Sequence, residues 1–150
     1  MRITVILLSI LAALTLSVSA QTGPSDADKA AITATALDYI EGWYSGDSDR
    51  MERALHPDLA KRIVMTNDQG RSMLQQMSAM GLVQGVKRGG GKNTPKEKQQ
   101  KDVTILDVFE NAAVVKIVAS DWVDYLQEAR FNGHWVIVNV LWELKPKPKS

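Results

Sequence analysis

The fold class of this chain is decided by one stretch, AAVVKIVASDWVDYLQEARFNGHWVIVNVLWEL, residues 112–144. It is rich in β-branched and aromatic residues, which favour strands, and Asn132-Gly133 divides it. An Asn-Gly pair is the strongest short signal for a two-residue hairpin, because a type I′ turn needs positive φ at both central positions. We therefore predict strand structure from Ala112 to about Phe131, a turn, and a final strand from His134 to Leu144.

The two-residue turn also predicts a register. It places Phe131 opposite His134, and so Leu126 opposite Asn139 and Tyr125 opposite Val140. Side-chain alternation then assigns one face to Asp124, Leu126, Trp135, Ile137, Asn139 and Leu141, and the other to Tyr125, Gln127, Phe131, Val136, Val138, Val140 and Trp142. Both faces are substantially apolar, which suggests dimerisation through the face that helices do not cover, or a pocket on one side of the sheet and a partner on the other. Alternation alone does not say which face lines the interior.

The residues before this stretch predict helices first. Ser25-Asp26-Ala27-Asp28 is a capping box, and apolar residues at three-and-four spacing predict a helix to about Tyr44. A second, short helix is predicted from Ser48 or Asp49 through Leu55, where His56-Pro57 stops it, because proline disfavours helical geometry in the residue before it. Helices followed by a meander of strands indicate an α+β fold with helices on one face of the sheet.

The middle of the chain mixes signals. Residues 61–66 predict a first strand and residues 67–70 a turn. Residues 72–80 predict a third helix, with Met73, Met77 and Met80 on one face. Residues 85–100 are polar and contain Gly89-Gly90-Gly91-Lys92, which lacks the spacing of a phosphate-binding loop and is interpreted as a mobile linker. Residues 103–109 predict another strand, ended by a turn at Glu110-Asn111.

The two ends are predicted to lie outside the domain. Residues 1–20 are typical of a signal peptide cleaved after Ala20. They contain a basic start at Met1-Arg2, an apolar run from Ile3 to Leu16, and small residues at Val18 and Ala20. The alternative is an uncleaved N-terminal anchor. Cleavage predicts a secreted or periplasmic protein with no membrane attachment and one domain at residues 21–150. Within it, the Lys-Pro repeats of residues 146–150 predict a frayed tail.

Composition limits the chemistry. The 150 residues contain no cysteine, so neither a disulfide nor a thiolate metal site can form. Removal of residues 1–20 takes away Arg2 and no acidic residue, so the predicted mature chain is formally neutral and does not favour nucleic-acid binding. His56 and His134 lack the spacing of metal ligands. We expect no metal and no cofactor.

Four segments carry a resemblance to a known family. They are residues 39–47 (YIEGWYSGD), 51–62, 122–126 (WVDYL) and 133–142 (GHWVIVNVLW). Together they resemble the bacterial branch of the nuclear-transport-factor-2-like superfamily labelled Putative lumazine-binding. The resemblance implies a curved antiparallel sheet wrapped around a long N-terminal helix, with two shorter helices, forming a cone with an apolar pocket. It also implies a homodimer formed through the sheet. The superfamily includes isomerases, dehydratases, transport adaptors and assembly domains, so fold alone does not settle function.

Four residues are candidates for catalysis. His56 could move a proton near neutral pH, or its ring could instead satisfy carbonyls at the end of the second helix. Asp121, Asp124 and Tyr125 could supply a carboxylate base and a phenolic donor around an enolisable carbonyl, as in the ketosteroid isomerase and scytalone dehydratase relatives. The alternative is a structural Asp and Tyr bonded across strands.

Five residues are candidates for ligand binding. Tyr39 and Trp43 lie one turn apart on the first helix and, with Trp122 and Trp142, could line a pocket or simply form core. Asn139 interrupts an apolar strand, so its amide either bonds a buried partner such as Tyr39 or faces a ligand.

Three functions remain open on the sequence. The first is an exported domain that binds a small, largely apolar ligand without catalysis. The second is a cofactor-free isomerase or dehydratase with Asp124 or Asp121 as base and His56 or Tyr125 as partner. The third is a dimerising protein-interaction domain.

Overall fold

The first helix, α1 (Asp26–Ser45), starts and stops at the residues that the sequence indicates. Ser25 caps it, because its Oγ accepts a hydrogen bond from the Asp28 backbone N–H, and Gly46 ends it in a left-handed conformation at φ 72°. The computed structural model describes residues 23–146. The predicted signal peptide and residues 147–150 of the predicted tail lie outside this part of the chain.

Nine further elements follow α1 in the described part of the chain. They are α2 (Ser48–Ala54), β1 (Leu55–Thr66), β2 (Ser72–Ser78), α3 (Ala79–Lys87), a short 3₁₀ turn (Lys96–Lys98), β3 (Lys101–Phe109), β4 (Ala112–Ala119), β5 (Trp122–Phe131) and β6 (His134–Leu144). The six strands form one sheet in the order β2-β1-β6-β5-β4-β3. The predicted α+β class, a curved sheet with a long N-terminal helix and two shorter ones, is confirmed.

One pair of strands departs from the antiparallel expectation. β1 and β6 run parallel, with Lys61 opposite Val140, whereas every other neighbouring pair in the sheet is antiparallel. β1 enters the sheet directly from α2, and it begins at Leu55 rather than at the predicted Lys61. Lys61 therefore lies in the middle of a long strand.

The helix predicted over residues 72–80 is wrong. Ser72–Ser78 forms β2, which pairs with β1 from Thr66 opposite Ser72 to Ala60 opposite Ser78, and α3 begins at Ala79. A spacing of four residues, as between Met73 and Met77, places two side chains on the same face of a strand as well as of a helix. The spacing could not distinguish the two, and the turn after Thr66 decided in favour of a hairpin.

The hairpin between β5 and β6 is confirmed at its tip but shifts farther along. Phe131 lies opposite His134, and Asn132 and Gly133 have positive φ. Between Gln127 and Glu128 the register shifts, so that Leu126 lies opposite Val140 and not the predicted Asn139. Tyr125 likewise lies opposite Leu141 and not the predicted Val140. The extra residue is on β6, because Asn139 faces Gln127 and Ile137 faces Glu128.

This β-bulge exchanges the faces of the last part of β6. Alternation along β6 buries Trp135 and Ile137 before the bulge and Val140 after it. The predicted faces are thus correct up to Val138 and wrong from Asn139 onward. The face that carries the buried residues, here called the inner face, packs on α1 through core residues that include Ile32, Ala36, Ile40, Ile117, Leu126 and Ile137. No helix within residues 23–146 is long and apolar enough to span a bilayer.

Candidate functional site

A cavity of about 230 Å³ lies between the helices and the inner face of the sheet. α1, β1, β2, α3 and the β5–β6 pair all contribute to its wall, which is almost entirely apolar. Its lining residues are Tyr39, Trp43, Met51, Lys61, Met77, Leu82, Trp122, Trp142 and Leu144. Because the cavity is apolar and concave and has few polar groups, it has the character of a small-molecule site.

The polar part of this wall is a buried cluster of four side chains. Lys61 Nζ donates to Asp124 Oδ1 at 2.5 Å and to Tyr39 Oη at 2.6 Å. Asp124 Oδ2 accepts from Trp122 Nε1 at 2.6 Å and from Tyr39 Oη at 3.3 Å. Asp124 is 0% exposed and the Lys61 side chain 7%. Both carboxylate oxygens therefore accept hydrogen bonds from protein donors.

Strand register explains how these side chains meet. β6 lies between β1 and β5, with Val140 opposite Lys61 on one side and Trp142 opposite Asp124 on the other. Both charged residues point to the inner face, where Tyr39 of α1 lies over them. The Lys61 ammonium also lies 4.7 Å from the centre of the Trp142 ring, within the range of a cation–π contact.

Burial dominates the electrostatics of the cluster. It lowers the pKa of Lys61 from its usual range, because loss of hydration penalises the ammonium, and Asp124 opposes that shift. Burial, followed by the charge of Asp124, raises the pKa of Tyr39 well above its usual range, so this phenol keeps its proton. The cluster thus contains one cation and one anion and is neutral overall.

Lys61 has a hydrogen-bond donor left over. An ammonium has three N–H groups, and two of them are used by Asp124 and Tyr39. Among the described residues no third acceptor bonds to Nζ, and Lys61 forms part of the cavity wall. The third N–H is available to an acceptor atom of a ligand.

The structure brings five of the predicted site residues together. Tyr39, Trp43, Trp122 and Trp142 line the cavity, and Asp124 lies directly behind its wall in contact with Tyr39 and Trp122. The edge of Trp122 packs against Trp43 with the ring centres 6.3 Å apart.

The other four predicted site residues lie elsewhere. Tyr125 is on the outer face, 43% exposed, and Asp121 is at the exposed turn between β4 and β5. The His56 ring packs on the Phe131 ring, with 4.6 Å between the ring centres. Phe131 is seven residues from Asp124 along β5, so His56 lies far from that carboxylate. The acid–base sets that pair Asp121 or Asp124 with His56 or Tyr125 are therefore not assembled.

Asn139 is on the outer face as a result of the β-bulge. Its Nδ2 donates to Gln127 Oε1 at 3.1 Å, so Asn139 neither bonds Tyr39 nor lines the cavity, which were the two alternatives. The Tyr39 hydroxyl bonds Asp124 and Lys61 instead.

Sequence reasoning missed Lys61 and Glu128. Lys61 shares the strand alternation of Leu59 and Ile63, both buried, but a strand predicted to begin at Lys61 shows only the Ile63 half of this pattern. Glu128 is 1% exposed, and neither of its carboxyl oxygens has a hydrogen-bond partner. Burial raises its pKa to about 8. The alternation of Asp124, Leu126 and Glu128 on β5 could have revealed a second inward acid.

The glycine run is part of the site rather than a mobile linker. Residues 90 and 91 pack on the Trp43 indole so closely that a Cβ at Gly91 would lie 2.3 Å from the ring and one at Gly90 2.6 Å. Gly91 also has φ 68°. These glycines let the backbone approach Trp43 and hold it in the cavity wall.

Within residues 23–146, no group of three or more histidine or acidic side chains is arranged to hold a metal ion. The polar side chains Tyr39 and Lys61 of the cluster line the cavity.

Comparison with protein families gives one match. The family model described as Putative lumazine-binding matches residues 27–143, which include every element from α1 to β6 almost completely. Comparison with curated proteins gives no match.

Solved structures share this fold at low sequence identity. An NTF2-like protein of unknown function from Shewanella baltica OS155 is 18% identical, with a match covering 84% of this chain and 100% of that one at a TM-score of 0.63. One from Methylobacillus flagellatus KT is 22% identical, covering 82% and 96% at a TM-score of 0.65. A hexachlorocyclohexane dehydrochlorinase (LinA), type 2, is 12% identical, covering 80% and 86% at a TM-score of 0.52. At these identities the likeness shows the fold alone.

Proposed function

From the premise that this chain belongs to the Putative lumazine-binding family, we propose that it binds a compact, largely apolar and uncharged molecule in its cavity. The observation that carries this proposal is the apolar cavity of about 230 Å³ with one spare ammonium N–H in its wall. Three of the four tryptophans of the chain line that cavity. Indole rings offer large apolar faces on which a flat ligand can stack.

The charge of the cluster favours an uncharged ligand. Lys61 and Asp124 already neutralise one another at 2.5 Å. A ligand carboxylate or phosphate would add an anion with no counter-charge in an almost dry, apolar site, which is costly. A neutral ligand avoids that cost.

The spare N–H of Lys61 favours a ligand with an acceptor oxygen. A carbonyl oxygen is neutral, accepts hydrogen bonds well and is found at the edge of many flat heterocycles. Lumazine, the molecule in the family's description, belongs to this class of aromatic carbonyl compounds. A hydrogen bond from a charged donor contributes about 1.5–3 kcal/mol, enough to orient such a ligand.

Tryptophan fluorescence tests this proposal directly. Titration with lumazine should quench the indoles, because Trp43, Trp122 and Trp142 line the cavity. The double variant Lys61→Met with Asp124→Leu removes the donor and its counter-ion together, and we expect it to bind lumazine about 10- to 150-fold more weakly than the wild type. Asn139→Leu is the matched control on the outer face and should bind as the wild type does. Equal affinity of the double variant and the wild type would contradict a role for Lys61, and absence of quenching in the wild type would contradict the proposal.

We also propose that the domain is exported, on the basis of the signal-peptide pattern in residues 1–20. The mature protein is then expected to begin at Gln21. Intact-mass measurement of material from the medium or periplasm checks this, and a mass that retains Met1 to Ala20 would show that cleavage does not occur.

A further inference from the structure

We propose that Lys61 is a nucleophile whose amine forms a reversible imine with an aldehyde or ketone held in the cavity. The inference rests on the proposed function, since the carbonyl compound must first bind beside Lys61. It goes further by assigning covalent chemistry to a residue that would otherwise only donate a hydrogen bond.

The position of Lys61 separates it from the other lysines. It is the buried lysine of residues 23–146, and it is one of the residues that line the apolar cavity. Lys29 and Lys101, for comparison, have side chains that are 53% and 47% exposed. A well-hydrated ammonium keeps its proton near neutral pH and is not nucleophilic, whereas a desolvated lysine in an apolar site can release it.

Asp124 is positioned to accept a proton from Lys61. Its Oδ1 lies 2.5 Å from Nζ, so transfer of one proton converts the ion pair into a neutral amine and a neutral acid. No net charge is created in the cavity. Burial lowers the pKa of Lys61 and so promotes loss of its proton, while the charge of Asp124 opposes that loss.

The reaction is balanced without any further reagent. The amine lone pair forms a bond to the carbonyl carbon as the π bond of the carbonyl breaks, and the attached nitrogen gives up one proton while the oxygen gains one, so that a neutral carbinolamine forms and Asp124 is still protonated. Loss of the hydroxyl group as water, with a proton from the Asp124 acid, leaves a protonated imine beside the Asp124 carboxylate. In total, the ammonium and the carbonyl compound give the iminium and one water, and nothing is oxidised or reduced.

Tyr39 is placed to assist at the oxygen. Its hydroxyl lies 2.6 Å from Nζ and 3.3 Å from Asp124 Oδ2, so it connects the attacking nitrogen with the carboxylate. Its raised pKa keeps the hydroxyl protonated, so it remains a hydrogen-bond donor. A phenol so placed can donate a hydrogen bond to the oxygen as negative charge develops there.

The walls indicate which carbonyl compounds would react. Trp43, Trp122 and Trp142 provide flat aromatic faces, and the neutral cluster disfavours a charged substituent. An uncharged aromatic aldehyde is therefore the probe of choice.

Reductive trapping tests the inference. The protein from Gln21 onward is incubated at pH 7 with 2-naphthaldehyde and sodium cyanoborohydride, which reduces an imine to a stable secondary amine, and adducts are located by peptide mapping. We expect Lys61 to be modified at least 10-fold faster than any other lysine. Lys61→Arg keeps the positive charge and should abolish the fast adduct, while Lys116→Arg, on the outer strand face, should leave it unchanged. Mapping on the wild type decides the question even where Lys61→Arg folds poorly.

A second ligand separates failure of this inference from failure of the proposed function. 2-Naphthamide carries the same rings and a carbonyl oxygen but does not form imines with amines. Quenching of tryptophan fluorescence by 2-naphthamide without a fast Lys61 adduct of 2-naphthaldehyde would overturn the inference and leave the binding proposal intact. Absence of both signals would overturn the two together.

Discussion

Lys61 and Asp124 face one another at 2.5 Å in a part of the protein where neither side chain is hydrated. Each removes the cost of burying the other, and a pair of this kind contributes little net stability against apolar residues of similar size. Loss of one partner strongly destabilises the fold, because it leaves the other charge buried without a counter-charge. At the scale of single residues, stability therefore depends on whether both charges or only one is removed.

Asp124→Asn is expected to lower the free energy of unfolding by about 3–5 kcal/mol, since it strands the Lys61 ammonium. The double variant Lys61→Met with Asp124→Leu should be within about 1–2 kcal/mol of the wild type for the reason given above. Urea unfolding of the three proteins measures both differences. A double variant as unstable as Asp124→Asn would show that the cluster stabilises the fold by more than charge compensation.

Glu128 is expected to make the wild type less stable as pH rises. Its folded pKa of about 8 lies above the ordinary value of 4.5, so the folded state holds a proton that the unfolded state releases. The contribution of that proton to the free energy of unfolding is fully present below about pH 4.5 and is lost progressively as pH rises to about 8. The resulting decrease in the free energy of unfolding between these pH values is on the order of 5 kcal/mol or less.

Glu128→Met tests this assignment because methionine has a similar length and no charge. We expect its stability advantage over the wild type to grow from pH 5 to pH 8 in urea unfolding experiments. Curves for the two proteins that stay parallel across this range would show that Glu128 does not titrate in the folded state as its burial indicates.

At the scale of elements, the segment after α3 shows how backbone positions one wall of the cavity. Gly90 and Gly91 lie against the Trp43 indole, and Trp43 in turn packs edge-on against Trp122. A side chain at either glycine would push on Trp43 and therefore on the shape of the cavity. The polar composition of residues 85–100 does not reveal this contact.

Gly91→Ala is expected to destabilise the protein by about 1–3 kcal/mol and to shift the tryptophan emission. Its φ of 68° strains any residue with a Cβ, and that Cβ would lie 2.3 Å from the Trp43 ring. Gly89→Ala is the matched control, since Gly89 has φ 87° but nothing within 4 Å of its Cβ position. It should show only the backbone cost of about 1 kcal/mol and an unchanged emission. Identical behaviour of the two variants would mean that contact with Trp43 does not matter.

At the scale of the whole molecule, the outer face of the sheet lacks a cover of helices in the described chain. Tyr125 and Leu141 lie opposite one another in register, and they are 43% and 56% exposed. Val64 and Leu74 extend the same apolar face across β1 and β2, at 47% and 61% exposure. We propose that a second copy of the chain covers this face. A two-fold symmetric dimer pairs the same surface of both subunits, so each copy would bury the apolar face of the other.

Sedimentation at tens of micromolar is expected to show a homodimer, and Leu141→Glu is expected to dissociate it by placing a charge in the interface. Met80→Glu serves as the control, because Met80 is equally apolar and 68% exposed but lies on α3. A monomeric wild type, or equal effects of the two substitutions, would count against a dimer formed through the outer face.

The sequence by itself determined those features whose signals are local. The cap at Ser25 and the Asn132-Gly133 turn each depend on a few neighbouring residues, and both are found where predicted. For the same reason the α+β class and the long α1 were predictable. Tyr39, Trp43, Trp122 and Trp142 could be named as pocket candidates, but alternation alone assigns Trp142 to the face opposite Asp124.

Only the tertiary structure decided the features that depend on pairing between distant segments. Residues 72–78 became β2 because β1 was available to pair with them, and the bulge at Val138 turned Asn139 outward and Trp142 inward. Lys61 became part of a buried cluster because parallel pairing of β1 with β6 set it beside Asp124. The residues next to Lys61 in the sequence do not determine which strand pairs with β1. The partner of Lys61 could therefore be identified only from the strand order and register of the sheet.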